Sequence, residues 1–440
     1  MKKRIFLILI AAVLLFALSG CEMVSFDVSE LMSPPKATGE KAEIQKLIDK
    51  EAGADYTLKY PQNGNFRSAI TTMDFDSDSV DEAIAFYLPA GEAQTIHLLI
   101  MDRIDGEWMV IGNHTSKSTM VDRLQFADLD GDGTREIAVG WSTYNSLVND
   151  LSVYLVNSDN TSTEILSENK YSDFLCADFT NCGKDELLLL SLYTPERPAS
   201  AVLVALNDTK NSLYAVTETP IDADVTSFAK LQTGNVFEGQ FGAVLDGITS
   251  SGAYNTQILY YSEIFAQLQR MAFTEDTPSN QAVRNYALLS QDIDNDGVIE
   301  IPNTFKMNID PTQTDAVPAA LIYWCEYSSL GYLCTDEIQA ASLVYGCRFS
   351  IPDKWQNYTA NVNYSNGEIT FYEWKEDDTQ GEALLVIKMF THEQFNDGTS
   401  AKGYTELAKN DSYVYTFITF ETNSNLLLTN DEIIEAFSLA

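Results

Sequence analysis

The chain has 440 residues, with 64 acidic against 27 basic side chains and a formal net charge of −37. So acidic a surface repels phosphate backbones, which sets nucleic acid aside as a partner. Its 45% hydrophobic and 11% aromatic residues supply cores that a disordered acidic chain lacks, and 22 Tyr with 22 Phe bias a chain of this length toward several strand-rich units.

The first element is a leader. Lys2, Lys3 and Arg4 precede an uncharged apolar run, Ile5 to Ala17, that is too short to span a membrane comfortably. Leu18-Ser19-Gly20-Cys21 comes next and resembles a bacterial lipobox. The resemblance implies a signal peptide over 1–20 and a diacylglycerol on Cys21. The mature chain is then expected outside the cytoplasmic membrane, tethered to its outer face by lipid. Residues 21–39, with Ser33-Pro34-Pro35, read as the anchored stalk. Glu40 to Glu51 reads as a helix with Ile44, Leu47 and Ile48 on one face, a lid or strut on the strand-rich region beyond it.

That region carries a repeat. Met73-Asp74-Phe75-Asp76-Ser77-Asp78 recurs as Ala127-Asp128-Leu129-Asp130-Gly131-Asp132-Gly133 and as Gln291-Asp292-Ile293-Asp294-Asn295-Asp296-Gly297. Weaker copies begin at Asp178 and Lys230. Eight positions after each start stands a Glu: Glu82, Glu136, Glu186, Glu238 and Glu300. That agreement outside the seed motif ties five copies into one repeat.

The strong copies have the chemistry of a hard-cation loop. Asp at positions 1, 3 and 5 aims carboxylates inward, and Gly at position 6 permits the reversal. Position 7 (Val80, Thr134, Val298) offers a backbone carbonyl, and Glu at position 9 closes the shell. The expected ligand sets are Asp74, Asp76, Asp78, Val80 and Glu82; Asp128, Asp130, Asp132, Thr134 and Glu136; and Asp292, Asp294, Asp296, Val298 and Glu300. Calcium suits so many protein oxygens better than magnesium, which keeps more water, so two to three calcium ions are expected. The alternative is a solvated Asp/Gly turn without metal. An EF-hand is rejected, because position 12 is Ala85, Val139 or Asn303 and strands flank the loops. The copies at 178 and 230 lack the ligands and read as metal-free hairpin turns.

Each repeat reads strand, loop, strand, strand, strand over roughly 50 residues, the size of a propeller blade. The later strands read as Thr95 to Met101 and Trp108 to Gly112 in the first copy, Leu151 to Val156 and Ser162 to Leu166 in the second, and Thr256 to Tyr261 in the fourth. The run Phe126-Ala-Asp-Leu-Asp-Gly-Asp-Gly-Thr-Arg-Glu-Ile-Ala-Val139 resembles the FG-GAP/VCBS-type repeat of integrin-α-like propellers. The resemblance covers about residues 60–337, and the whole chain is similar to clostridial, Gram-positive lipoproteins with no assigned activity. It implies a mostly β fold: a β-propeller of about five four-stranded blades with calcium loops, where integrin propellers have seven. The propeller with its N-terminal helix is placed at 40–340.

The repeat then stops. Residues 341–440 read as a small α+β domain, with strands at 358–364, 368–374, 383–390 and 412–421 and helices at Gly403 to Lys409 and Asp431 to Phe437. Its Phe349-Ser-Ile-Pro-Asp-Lys-Trp355 opening resembles C-terminal modules of other Gram-positive lipoproteins. Five cysteines beyond Cys21 are too few and too odd in number for a disulfide scaffold. Cys325 and Cys334 either face each other across a hairpin or are small half-buried residues.

Catalytic signatures are missing. There are three His, with His97 and His114 in strand-like runs, and no Gly-x-Ser-x-Gly, P-loop or dinucleotide fingerprint. The reading is a non-enzymatic surface lipoprotein whose propeller binds or scaffolds an extracellular protein or glycan. The alternative is a propeller-type glycoside hydrolase using central carboxylates.

Overall fold

A computed structural model describes residues 39–439, apart from 54, 93, 145, 166–168, 238, 272–281, 307–316, 319, 329–332, 343, 357–360, 365, 366, 376–379 and 423. The leader, Cys21, the stalk up to residue 38 and Glu238 lie outside the described residues.

After helix α1 (Glu40–Ala52), the chain folds into antiparallel sheets. Sheet I holds β1 (Tyr56–Lys59), β2 (Ile70–Met73), β3 (Glu82–Pro89), β4 (Ile96–Ile104) and β5 (Glu107–Ser116), with β1 and β2 end to end along β3. Sheet II holds β6 (Met120–Ala127), β7 (Glu136–Ser142), β8 (Asn149–Asn157), β9 (Thr161–Ile165) and β10 (Lys170–Tyr171). Sheet III is β11 (Asp173–Ala177), β12 (Glu186–Ser191), β13 (Ser200–Leu206) and β14 (Leu213–Pro220). Sheet IV is β15 (Val225–Phe237), β16 (Gln240–Thr249), β17 (Tyr254–Ser262) and β18 (Gln267–Arg270), with β19 (Val283–Arg284) added to β17. Sheet V runs in the order β20 (Ile301–Lys306), β22 (Ala320–Tyr327), β23 (Leu333–Ser342), β24 (Cys347–Ser350) and β30 (Phe437–Leu439). Sheets I to IV each contain a four-strand meander, and the strand spans expected in them are found, mostly a residue or more longer.

The second strands explain how the sheets stack. Glu82–Tyr87, Glu136–Trp141 and all of β12 are buried residue after residue. Such continuous apolar runs suit a strand covered on both faces, because successive side chains point to opposite sides. Ile84 and Phe86 pack on Val121, Leu124, Ile137 and Val139 of sheet II. Ala138 packs with Leu187 and Leu189 of sheet III. Leu188 and Leu190 pack with Ala243 and Leu245 of sheet IV. Val244 packs with Ile299, just ahead of sheet V, and with Ile301 and Tyr327 of sheet V. Each such Val, Leu, Ile or Phe side chain contributes about 1.5–3 kcal/mol by leaving water.

The two outer faces of this series are covered by elements that do not repeat. Ala83, Ala85 and Tyr87 of sheet I close over Ile44 and Ile48 of α1, which serves as the strut the sequence suggests. Leu321 and Ala340 of sheet V join Phe349, Trp355 and Phe371 in the core of the C-terminal unit. That unit has a sheet in the order β21 (Val317–Pro318), β25 (Asn361–Tyr364), β26 (Glu368–Trp374), β27 (Gln380–Thr391), β29 (Tyr413–Thr419) and β28 (Thr405–Lys409). It also carries the short helices α2 (Asp353–Gln356), α3 (His392–Asn396) and α4 (Asn430–Ala436). The buried Trp355 indole donates to the Leu426 carbonyl at 2.7 Å. The 340/341 boundary falls inside β23, and β24 and β30 continue that sheet.

Three expectations are corrected. The copy at 230 is not a turn: Lys230 to Gly234 lie within β15, paired to β16, and the reversal comes at 237–240. Gly403 to Lys409 is not a helix; Thr405–Lys409 is strand β28 against β29, where pairing overrides helix propensity. Cys325 and Cys334 are not opposite each other: the register, shifted by a bulge, sets Cys325 against Thr335 and Cys334 against Glu326.

Candidate metal centres

In sheets I to III the Asp loop joins the first two strands of the meander, and its Glu opens the second. Glu82 pairs with Met73, Glu136 with Ala127 and Glu186 with Ala177, while Gln291 and Glu300 form an isolated bridge ahead of sheet V. The ladder thus closes each loop and buries the Glu at its base. The position-2 amide donates to that carboxylate in every case: Phe75 to Glu82 at 2.8 Å, Leu129 to Glu136 at 2.7 Å, Phe179 to Glu186 at 2.8 Å and Ile293 to Glu300 at 2.7 Å.

The first Asp of each loop organises the turn. Its Oδ2 accepts the position-6 amide of Ser79, Gly133, Gly183 or Gly297 at 2.8–3.1 Å. Position 6 is left-handed throughout, with φ of 74° at Ser79 and 81–93° at the glycines, which is why Gly is favoured there. The Asp at positions 3 and 5 each give one oxygen to an amide two residues on. The amides of Val80, Thr134 and Val298 donate to Asp78, Asp132 and Asp296, bonds that leave the expected carbonyl ligands of the same residues unused. In the loops at 74–82 and 292–300 the other oxygen of each of these Asp stays available for a cation.

Among the described residues four clusters could hold a metal ion, with ligand atoms within 4.8 Å of one another: Asp74, Asp76, Asp78 and Glu82; Asp292, Asp294, Asp296 and Glu300; Asp128, Asp130 and Glu136; and Asp178, Cys182 and Glu186. The first two assemble every carboxylate expected from the sequence. In the third, Asp132 stands outside the cluster. It contacts the ammonium of Lys210 at 3.0 Å, and the same ammonium touches Asp130. Lys210 lies in the β13–β14 turn, 78 residues from Asp132, so no local sequence pattern announces it.

Unpartnered oxygens distinguish the loops. Glu82 and Glu300 are fully buried, yet their Oε1 atoms, Asp74 Oδ1 and Asp130 Oδ2 have no hydrogen-bond partner; of these, Asp130 Oδ2 meets a cation, Lys210, as an ion pair. A buried carboxylate oxygen without a donor is costly, and a cation would satisfy it. In the loop at 178, Glu186 Oε1 instead accepts the Thr180 hydroxyl, and Cys182 Sγ lies 3.7 Å away. That loop satisfies itself internally. Burial, reinforced by the surrounding Asp, pushes Glu82 and Glu136 up to about 8 and Glu300 up to about 7. Burial also raises Asp132, but hydrogen bonds from Thr134 and Lys210 prevail and hold it down at about 2.

Neighbouring loops are tied edge to edge. Arg135 donates its amide to the Phe75 carbonyl at 2.7 Å, Asp185 to Asp128 at 2.8 Å and Ile299 to Asn235 at 3.0 Å. Ser77 Oγ also donates to the Gly133 carbonyl at 2.8 Å.

The three histidines are engaged in hydrogen bonds. His97 bridges Asn113 and Glu92, His114 meets Ser162, and His392 meets the Asn410 carbonyl. Trp108, Trp141, Trp324 and Trp355 are buried, so among the described residues none of these four forms an exposed sugar platform.

No family model matches the chain, and no curated protein is a significant match. Among solved structures it is similar to the periplasmic gluconolactonase PpgL of Pseudomonas aeruginosa, at 10% identity over 70% of this chain and 83% of that one, with a TM-score of 0.31. It is also similar to Sqt1 of Saccharomyces cerevisiae, at 9% identity over 78% and 93%, with a TM-score of 0.32. Likeness at this level transfers no activity to the chain.

Proposed function

We propose that the chain is a lipid-anchored surface lipoprotein whose five repeat sheets form a calcium-stiffened β-propeller arc, capped by α1 and the C-terminal unit, that binds or scaffolds an extracellular protein or glycan. The calcium part rests on one observation: the buried, unpartnered Oε1 atoms of Glu82 and Glu300 facing three Asp each. The protein would hold the ion with Asp74, Asp76, Asp78 and Glu82, and again with Asp292, Asp294, Asp296 and Glu300. Asp128, Asp130, Asp132 and Glu136 form the third site. A bound ion supplies charge neutralisation where several carboxylates meet, and so stiffens loops whose backbone hydrogen bonds tie one sheet to the next. The propeller reading is supported by the FG-GAP/VCBS-like repeat and by the serial packing of the sheets. The anchor reading rests on Leu18-Ser19-Gly20-Cys21.

Thermal unfolding in excess calcium and in chelator tests the metal part. A midpoint raised by calcium supports it, and an unchanged midpoint refutes it. Replacement of Cys21 by Ser tests the anchor: the variant leaves the membrane fraction if Cys21 carries lipid, and stays there if it does not.

A further inference from the structure

The loop at 128–136 has the fullest motif of the three, yet it is the one that already holds a cation. Lys210 stands at the tip of the β13–β14 hairpin with φ of 53°. Its backbone is fixed by hydrogen bonds from Asn207 N to Ser212 O at 3.0 Å and from Lys210 N to Asn207 O at 2.9 Å. The Asn207 side chain adds an acceptor for the Asn211 amide at 3.0 Å. The tip therefore fixes the backbone from which the half-exposed Lys210 side chain reaches the loop. Its ammonium spans Asp130, whose side chain is only 6% exposed, and Asp132 at 3.0 Å. Among the described residues no lysine or arginine pairs with the matching position-5 residues, Asp78 and Asp296, which sit within their clusters.

We infer that Lys210 is a tethered internal cation that competes with the metal ion for the loop at 128–136 and sets this site as the weakest of the three. The inference rests on the calcium reading of the loops. Calcium binds oxygens at about 2.3–2.6 Å. An ammonium held against the same carboxylates is a like charge at near-contact distance, so the ion enters only as Lys210 withdraws. Binding at this loop is then linked to release of the hairpin tip on sheet III, whereas binding at the other two loops is not. The exchange also lets Asp132 rejoin Asp128, Asp130 and Glu136.

Calcium titration of the full chain by calorimetry, combined with amide hydrogen exchange, decides the matter. The wild type is expected to show two tighter sites and one weaker site. Lys210→Gln should tighten the weaker site about tenfold, the scale of one nearby unit charge at a protein surface, and leave the others unchanged. Lys409→Gln, a distant exposed lysine, is the control. In the wild type, calcium should raise protection over 74–82 and 292–300 while lowering it over 207–212, an opposite sign that needs no variant. Three sites unaffected by Lys210→Gln, or a hairpin tip whose protection does not fall, would overturn the inference. If no site binds calcium in either protein, the calcium reading itself fails, and that result is separate from the other two.

Discussion

Replacing Glu82 by Gln should stabilise the metal-free fold, and calcium should cancel that gain or slightly more than cancel it. In the metal-free chain, burial beside Asp76 pushes Glu82 from its ordinary 4.5 up to about 8. A carboxyl whose pKa is raised by folding contributes stability below about 4.5 and loses it as the pH rises toward 8. At pH 7 the folded chain holds a proton that the unfolded chain has released, at a cost on the order of 3 kcal/mol. Gln carries no charge to protonate, still accepts the Phe75 amide through its oxygen, and turns its NH₂ toward Asp74 and Asp76. In chelator, Glu82→Gln should therefore stabilise the fold by about 1–3 kcal/mol. In calcium the same change removes a ligand. A hundredfold weaker site forfeits up to about 2.7 kcal/mol of ligand-linked stability. Urea midpoints at pH 7 in the two buffers give the test. A variant destabilised equally in both would mean that Glu82 supports the loop only as a hydrogen-bond acceptor, and would refute the reasoning.

Three further outcomes concern other named residues. Ser79→Gly relieves a left-handed non-glycine residue at φ of 74° and should raise the urea midpoint in both buffers by the equivalent of about 1 kcal/mol; a fall would contradict the loop geometry. Across pH 5 to 8 the metal-free chain should lose stability as Glu82, Glu136 and Glu300 are pressed to ionise. Calcium should flatten that slope and release protons on binding, which calorimetry in buffers of different ionisation enthalpy would detect. Arg284→Met strands the buried Asp246, which Arg284 meets at 2.9 Å, and should cost about 3–5 kcal/mol by urea unfolding; a loss under about 1 kcal/mol would show that Thr256 and Ser290 suffice to hold it.

The sequence showed the loops well because their chemistry is local. Asp spacing, the φ-permissive position 6 and the Glu all lie within nine residues, and the runs after Glu82, Glu136 and Glu186 read as strands, which the structure buries on both faces. The copy at 230 misled because its position in the repeat was right while its residues form the bulged interior of β15. Thr405–Lys409 misled because Leu407 and Ala408 favour a helix that edge pairing to β29 overrules. Two features had no local signal. The covering of sheet I by α1 and of sheet V by the C-terminal unit depends on which faces meet, and Lys210 reaches the Asp130 loop only through the stacking of sheet III on sheet II.

Equilibrium dialysis of the full chain against radioactive calcium measures the central claim directly. Two ions per chain bound at low calcium, and a third at higher concentration, are predicted. Loss of one tight ion in Glu82→Gln and of the other in Glu300→Gln would assign them to their loops. A chain that binds no calcium at any concentration tested, or keeps both tight ions in the two variants, would contradict the account.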